Sequence, residues 1–339
     1  MSENLFAGYL RRVAHRETLS ADDAASAFGE MLTGGAGEMQ MAGFLSALTV
    51  RGPTIDEMVG AARAMRASMK KVECVPGAID LCGTGGDGHS TLNISTAVSF
   101  VVVGAGVPVA KHGNRNMSSK SGAADVLEAL GVRIDISPEQ ASRCLREVGL
   151  CFLFAQAYHP GMKHVSPVRK ALAFRTIFNL AGPLSNPAGV KRQLVGLYAP
   201  ELIETYAHAL TALGAEKAFV VHGCDGMDEI TITGPTHVAV LSNGKVSRNE
   251  IKPEDAGLAP APLSAIRGGE AKENAVALRA LLDGKKDAYR DIVLLNAAAA
   301  FIVADKAKDL KEGVAIAAES LDKGHAGAVL AKLVAASNA

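Results

Sequence analysis

Apolar residues recur at three- and four-residue steps through the opening stretch of the chain. Leu5, Leu10 and Val13 form one series, and Ile55, Met58, Val59, Ala62 and Met65 another. Each is the stripe by which an amphipathic helix faces a core. Ser20 precedes Asp23, and Thr54 precedes Glu57, at the spacing of N-terminal capping boxes. Gly34-Gly35 and Gly52-Pro53 punctuate these helices, and Pro76-Gly77 closes the block.

Beyond it the pattern changes. Short apolar runs at 79–81, 107–110, 132–136, 151–155, 193–198 and 218–222 read as strands, with helical periodicity at 95–103, 123–130 and 202–213. This alternation predicts an α/β fold with a mostly parallel central sheet flanked by helices. Residues 229–233 and 237–241 read as an antiparallel pair, with Asn243-Gly244 as the following turn. From Ala271 onward the chain is mostly Ala-rich helix. Residues 160–182 interrupt the strand-rich region with helical texture. The predicted organisation is a small helical domain, 1–72 with about 161–182 returning to it, and a large α/β domain, 73–160 and 183–339. A chain that leaves one domain and returns makes a hinged cleft.

Composition narrows the class. Lys plus Arg and Asp plus Glu are both 35, and the pI is near 7.1, which argues against a nucleic-acid or membrane coat. The five cysteines, Cys74, Cys82, Cys144, Cys151 and Cys224, contain no C-x-x-C pair and read as reduced thiols. With no apolar signal core and no membrane-length apolar run, the expected location is the cytoplasm.

The sharpest chemistry lies in "IDLCGTGGDGHSTLN". Gly83-Thr84-Gly85-Gly86-Asp87-Gly88 satisfies the G-x-G-x-x-G dinucleotide fingerprint. That reading needs an acid about 20 residues on, for the ribose hydroxyls. Between Asp87 and Asp125 there is no Asp or Glu, and no P-loop lysine follows the glycines. The acid-free window instead holds Lys111, Arg115 and Lys120, with Ser90, Thr91, Ser95, Thr96, Ser118 and Ser119. Glycines admit an anion to the backbone, helix N-termini aim amides at it, and cations and hydroxyls satisfy its oxygens. Two such loops after successive strands favour a multi-phosphate ligand over mere turn-making.

The chain resembles the anthranilate phosphoribosyltransferase family. The resemblance rests on "GTGGD" (83–87), "NIST" (93–96), "KHGNR" (111–115) with "SSKSG" (118–122), "VRKALAFRTIFNLAGPLSNP" (168–187) and "HGCDGMDE" (222–229), in the family's order. It implies transfer of the phosphoribosyl group of phosphoribosyl pyrophosphate to the amine of anthranilate, in tryptophan biosynthesis. It also implies Mg²⁺, two ions per subunit, and a homodimer without membrane or nucleic-acid partners.

By the same resemblance, Gly83, Gly86, Asp87, Thr91, Asn93, Ile94, Ser95 and Thr96 line the phosphoribosyl pyrophosphate site. Lys111, His112, Gly113, Asn114, Arg115, Asn116, Met117, Ser118, Ser119 and Ala123 close over it. Gly83, Asn114 and Arg169 take anthranilate, with Arg175 a rival to Arg169. Ser95, Asp228 and Glu229 take the metal, because hard oxygen ligands suit Mg²⁺. An aryl amine is already a nucleophile, so no classical acid or base is assigned, and His112 reads as a positioning group. Two alternatives stand beside this reading. One is a related phosphoribosyl or nucleoside transferase with another acceptor; the other is a lapsed relative that binds nucleic acid.

Overall fold

The computed structural model describes residues 5–115 and 121–339. Helices Leu5–Ala14, Ala21–Thr33, Glu38–Arg51 and Ile55–Ser68 open the chain. Their start signals operate as the spacing predicts. Ser20 caps Asp23 N, and the Thr54 hydroxyl accepts from Glu57 N at 3.2 Å while the Glu57 carboxylate returns to Thr54 N at 2.9 Å. Glu57 is fully buried, and it also accepts from Leu19 N at 3.0 Å and pairs with Arg51. Its charge is thus matched by donors on every side, the condition for a buried carboxylate.

Helices Met162–Leu172 and Ile177–Ala181 join these four in one core. Val165, Val168 and Phe178 pack with Phe6, Phe28 and Phe44, and Phe178 meets Phe28 edge-on at 5.5 Å between ring centroids. The same cluster continues onto one face of the sheet through Val195, Leu197 and Val220.

Seven strands follow among the described residues: β1 (Ile79–Gly83), β2 (Val109–Gly113), β3 (Leu150–Phe154), β4 (Arg192–Gly196), β5 (Lys217–Gly223), β6 (Thr236–Ser242) and β7 (Lys245–Ile251). Their order is β3-β2-β1-β4-β5-β6-β7. The first five run parallel; β6 and β7 are antiparallel, so the sheet is mixed. Helix Ile94–Gly104 packs on β1 and β2 and is covered by the C-terminal helices Ala288–Val303, Leu310–Asp322 and His325–Asn338. Nearly every residue of Ile94–Gly104 is buried, as its Val-rich sequence requires. No described helix is long and apolar enough to cross a membrane.

Two predicted strands are corrected. Residues 132–136 keep a period of two, with Val132, Ile134 and Ile136 buried and Arg133 and Asp135 exposed. They run beside the last helix with no ladder partner among the described residues, and Arg133 N donates to Ser337 Oγ at 3.1 Å. Alternation reports an extended, half-buried backbone, not a neighbouring strand. Residues 229–233 are loop: Ile230 N donates to Asn296 Oδ1 at 3.0 Å and Asn296 Nδ2 to Ile230 O at 2.8 Å. A side chain thus takes the backbone groups that pairing would have used. β6 pairs with β5 and β7 instead, and Asn243-Gly244, both at positive φ, turns β6 into β7.

Candidate active site

The carboxyl ends of β2, β1, β4 and β5 lie side by side in the sheet, the usual place for ligands in a parallel sheet. β1 ends at Gly83, and Gly85, Gly86 and Gly88 then carry the backbone through positive φ of 69°, 80° and 80°. Only glycine enters that region without strain. The loop after β5 lies directly against it. Gly85 N donates to Asp228 Oδ2 at 2.6 Å, and Ser95 N, in the first turn of helix Ile94–Gly104, donates to Glu229 Oε1 at 3.2 Å. Two registered strand ends make room for the acids. A Cβ on Gly83 would fall 2.4 Å from Asp228 Oδ2, and one on Gly196 1.6 Å from the Asp228 carbonyl oxygen.

Ser95 and Glu229, two of the three residues expected at a metal, thus touch, and Asp228 lies beside Glu229 against the glycine loop. Lys111 Nζ donates to Ser95 Oγ at 3.1 Å and to the Leu81 carbonyl, which fixes the hydroxyl from behind. Burial, with the nearby negative Asp87, pushes the Asp228 carboxyl up to about 7. Burial and Asp228 push Glu229 up to about 8. Burial also lowers Lys111, whose charge still favours the ionised form of Glu229. Such an acid pair fits a divalent cation. Among the described residues no group of three or more His, Cys, Asp or Glu side chains could hold an ion unaided. Phosphate oxygens and water would complete its shell.

The rest of the glycine loop is held by a distant strap. Thr91 bridges to Arg267, Leu92 N donates to Ile266 O at 3.0 Å, and Gly268 N to Ser90 O at 2.8 Å. Asn93 is fixed at three points. Its Oδ1 accepts from Asn274 Nδ2 at 2.9 Å, its carbonyl from the Tyr289 hydroxyl at 3.1 Å, and its Nδ2 donates to Ser121 O at 3.4 Å. Asp87 Oδ1 accepts from His89 N at 3.1 Å, a local turn cap. Ile94 and Thr96 are buried, so their side chains belong to the core.

The lysine loop begins at β2. His112 N donates to the buried Asp80 at 3.0 Å, and His112 Nε2 meets His159 Nε2 at 3.2 Å. Burial depresses His112 to about 3 and His159 to about 4, so both imidazoles are neutral near pH 7 and one of the two nitrogens carries the shared hydrogen. Asn114 and Gly113 follow, partly buried, and helix Ala123–Ala129 starts at Ala123. Arg115 is paired with Asp125 at 3.1 Å and with Glu128, over the Phe154 ring. Asn116, Met117, Ser118 and Ser119 lie outside the described residues.

Arg169, on helix Met162–Leu172, is half-buried, donates to Asn179 Oδ1 at 3.2 Å and lies over Phe178. It is built into the helical lobe and is no loose surface charge. Sequence reasoning missed Gly196, Tyr198, Asn274 and Tyr289. Only Gly196 carried a local signal, since a glycine at a strand end suggests close backbone approach.

Residues 75–327 match the family described as "Glycosyl transferase family, a/b domain", and residues 7–69 match "Glycosyl transferase family, helical bundle domain". An anthranilate phosphoribosyltransferase of Bradyrhizobium diazoefficiens is 58% identical over 327 residues, 96% of this chain and 97% of the relative. One from Rhodopseudomonas palustris is 57% identical over 334 residues, 98% and 99% of the two chains. The crystal structure of the Thermus thermophilus anthranilate phosphoribosyltransferase superposes with a TM-score of 0.93 at 41% identity, covering 98% of this chain and 99% of that one. The Saccharomyces cerevisiae enzyme in complex with PRPP and Mg superposes at 0.90 with 29% identity, covering 99% of each chain.

Proposed function

The chain belongs to the anthranilate phosphoribosyltransferase family, and from that membership we propose how its cleft performs the transfer. The reaction moves the phosphoribosyl group of phosphoribosyl pyrophosphate onto the amine of anthranilate, releasing pyrophosphate, in tryptophan biosynthesis. The observation that carries the reading is the meeting of the glycine loop with the acid pair, Gly85 N to Asp228 Oδ2 at 2.6 Å.

The backbone amides of Gly86, Asp87 and Gly88, which unlike those of Thr84 and Gly85 are not given to β4 or Asp228, receive the phosphates beside the N-terminus of helix Ile94–Gly104. Asn93, pinned by Asn274, presents its remaining edge beside them. Asp228 and Glu229 hold Mg²⁺ with the Ser95 hydroxyl, which Lys111 orients. When bound, Mg²⁺ supplies positive charge to the departing pyrophosphate. Arg169 takes the anthranilate carboxylate in its guanidinium fork, near Gly83 and Asn114. The aryl amine attacks as positive charge develops at ribose C1. Neutral His112 and His159 meet each other and remove no proton at the start of the attack.

Two metal ions per subunit, a cytoplasmic homodimer, and a helical domain of 1–72 with 161–182 belong to the same proposal, supported by the family resemblance. The test is loss of anthranilate fluorescence with phosphoribosyl pyrophosphate and Mg²⁺ both present. Steady consumption that stops when either is withheld supports the reading. Absence of turnover with both present overturns it.

A further inference from the structure

The window that the sequence offers to the phosphates contains three cations, and the two described ones are committed elsewhere. Lys111 is 3% exposed and donates to Leu81 O and Ser95 Oγ. Arg115 is neutralised by Asp125 and Glu128. Lys120 lies outside the described residues.

A further guanidinium reaches the glycine loop from the helical lobe. Arg175 sits between helices Met162–Leu172 and Ile177–Ala181, and its carbonyl accepts the Thr49 hydroxyl of helix Glu38–Arg51 at 3.4 Å. Its side chain runs the other way. The guanidinium carbon lies 4.1 Å from the centroid of the Tyr198 ring. Tyr198 follows β4, and its backbone N donates to Thr84 Oγ1 at 3.1 Å, which ties residue 198 to the glycine loop. A Cβ on Gly86 would fall 3.0 Å from Arg175 Nη2. Arg175 is exposed, and its guanidinium makes no ion pair or side-chain hydrogen bond among the described residues, although its charge acts on the Asp228 carboxylate after β5. Stacking through its face leaves the N–H edge free for oxygens.

We propose that Arg175 is a further substrate-binding residue, whose guanidinium, stacked on Tyr198, hydrogen-bonds a phosphate group seated on the glycine loop. The helical lobe then contributes a ligand to phosphoribosyl pyrophosphate as well as to anthranilate. Arg169 and Arg175, six positions apart in the sequence by their numbers, divide the two substrates between them. This rests on the transferase reading above.

The test uses the full chain with Arg175→Gln, Arg175→Lys and Tyr198→Leu, both substrates varied in steady state, and calorimetric titration with phosphoribosyl pyrophosphate and Mg²⁺. Arg175→Gln should raise the KM for phosphoribosyl pyrophosphate by about tenfold or more, the scale of one lost charge-assisted hydrogen bond. The anthranilate KM should stay within about twofold and the melting temperature near wild type, because the side chain is exposed. Arg175→Lys should fall between, since lysine keeps the charge and loses the fork. Tyr198→Leu should reproduce part of the rise by removing the platform. An unchanged KM for phosphoribosyl pyrophosphate in Arg175→Gln, or a rise confined to anthranilate, overturns the proposal. An inactive wild type would instead remove the transferase reading itself.

Discussion

Gly196→Ala isolates the placement of the acid loop from every chemical change. Gly196 ends β4 and does not have positive φ, so alanine meets no backbone penalty there. The added methyl carbon would lie 1.6 Å from the Asp228 carbonyl oxygen and 2.3 Å from its carbonyl carbon. Ordinary contact begins near 3.4 Å, so the loop must retreat by roughly 1.8 Å. A misplacement of about 1 Å at a reacting centre costs on the order of a hundredfold. Overpacking costs about 1–3 kcal/mol of stability, which leaves a typical domain folded. The expected variant therefore melts lower yet folds, with kcat/KM down at least about a hundredfold and half-saturation at higher Mg²⁺. Steady-state kinetics, a magnesium titration and a thermal melt read all three. Gly29→Ala is the control: it faces open space within helix Ala21–Thr33, and should gain about 0.5–1 kcal/mol with activity unaltered. Wild-type kcat/KM and magnesium dependence in Gly196→Ala would refute the idea that β4 sets the acid pair.

Arg169→Ala should raise the anthranilate KM by about ten- to a hundredfold while phosphoribosyl pyrophosphate binding holds; an unchanged anthranilate KM removes Arg169 from the site. Asp228→Asn with Glu229→Gln should keep the fold and displace the magnesium dependence, whereas a pair that transferred protons would mainly reshape the pH profile. The titration of that pair has a definite sign. Folded-state values of about 7 and about 8 stand above the ordinary 3.8 and 4.5. The metal-free protein is therefore most favoured by this pair below about pH 4, and loses that contribution as pH rises through 8. Bound Mg²⁺ opposes the loss, so its shift of the melting temperature should grow from about pH 6 to 9; a constant shift across that range would contradict the assignment.

What the sequence made legible was local. The stripe of residues 55–65 and the Thr54–Glu57 spacing specify a helix and its start within one turn of chain. The glycines of 83–88 and the missing ribose acid separate a phosphate loop from a dinucleotide loop without any tertiary information. The misreadings at 132–136 and 229–233 concern partners: whether an extended segment meets a strand, a helix or the Asn296 side chain is decided by residues far along the chain. Arg115 looked like a phosphate cation because Asp125 and Glu128, which pair with it, lie just outside the acid-free window. The His112–His159 contact and the Arg175–Tyr198 stack join residues with no shared periodicity, so no window scan finds them.

The separations across the cleft also have a consequence in time. Gly85 and Asp228 are 143 residues apart, and Ser95 and Glu229 are 134 apart. A chain made from its N-terminus exposes the glycine loop long before the acids that answer it, and β4 and β5 must be laid down beside β1 first. Contacts of such range are the slow ones to form. Magnesium and phosphoribosyl pyrophosphate thus find no complete site on an unfinished chain and give it no help. Their stabilisation arrives only with the finished fold, so ligand binding reports completion of synthesis and folding rather than guiding it.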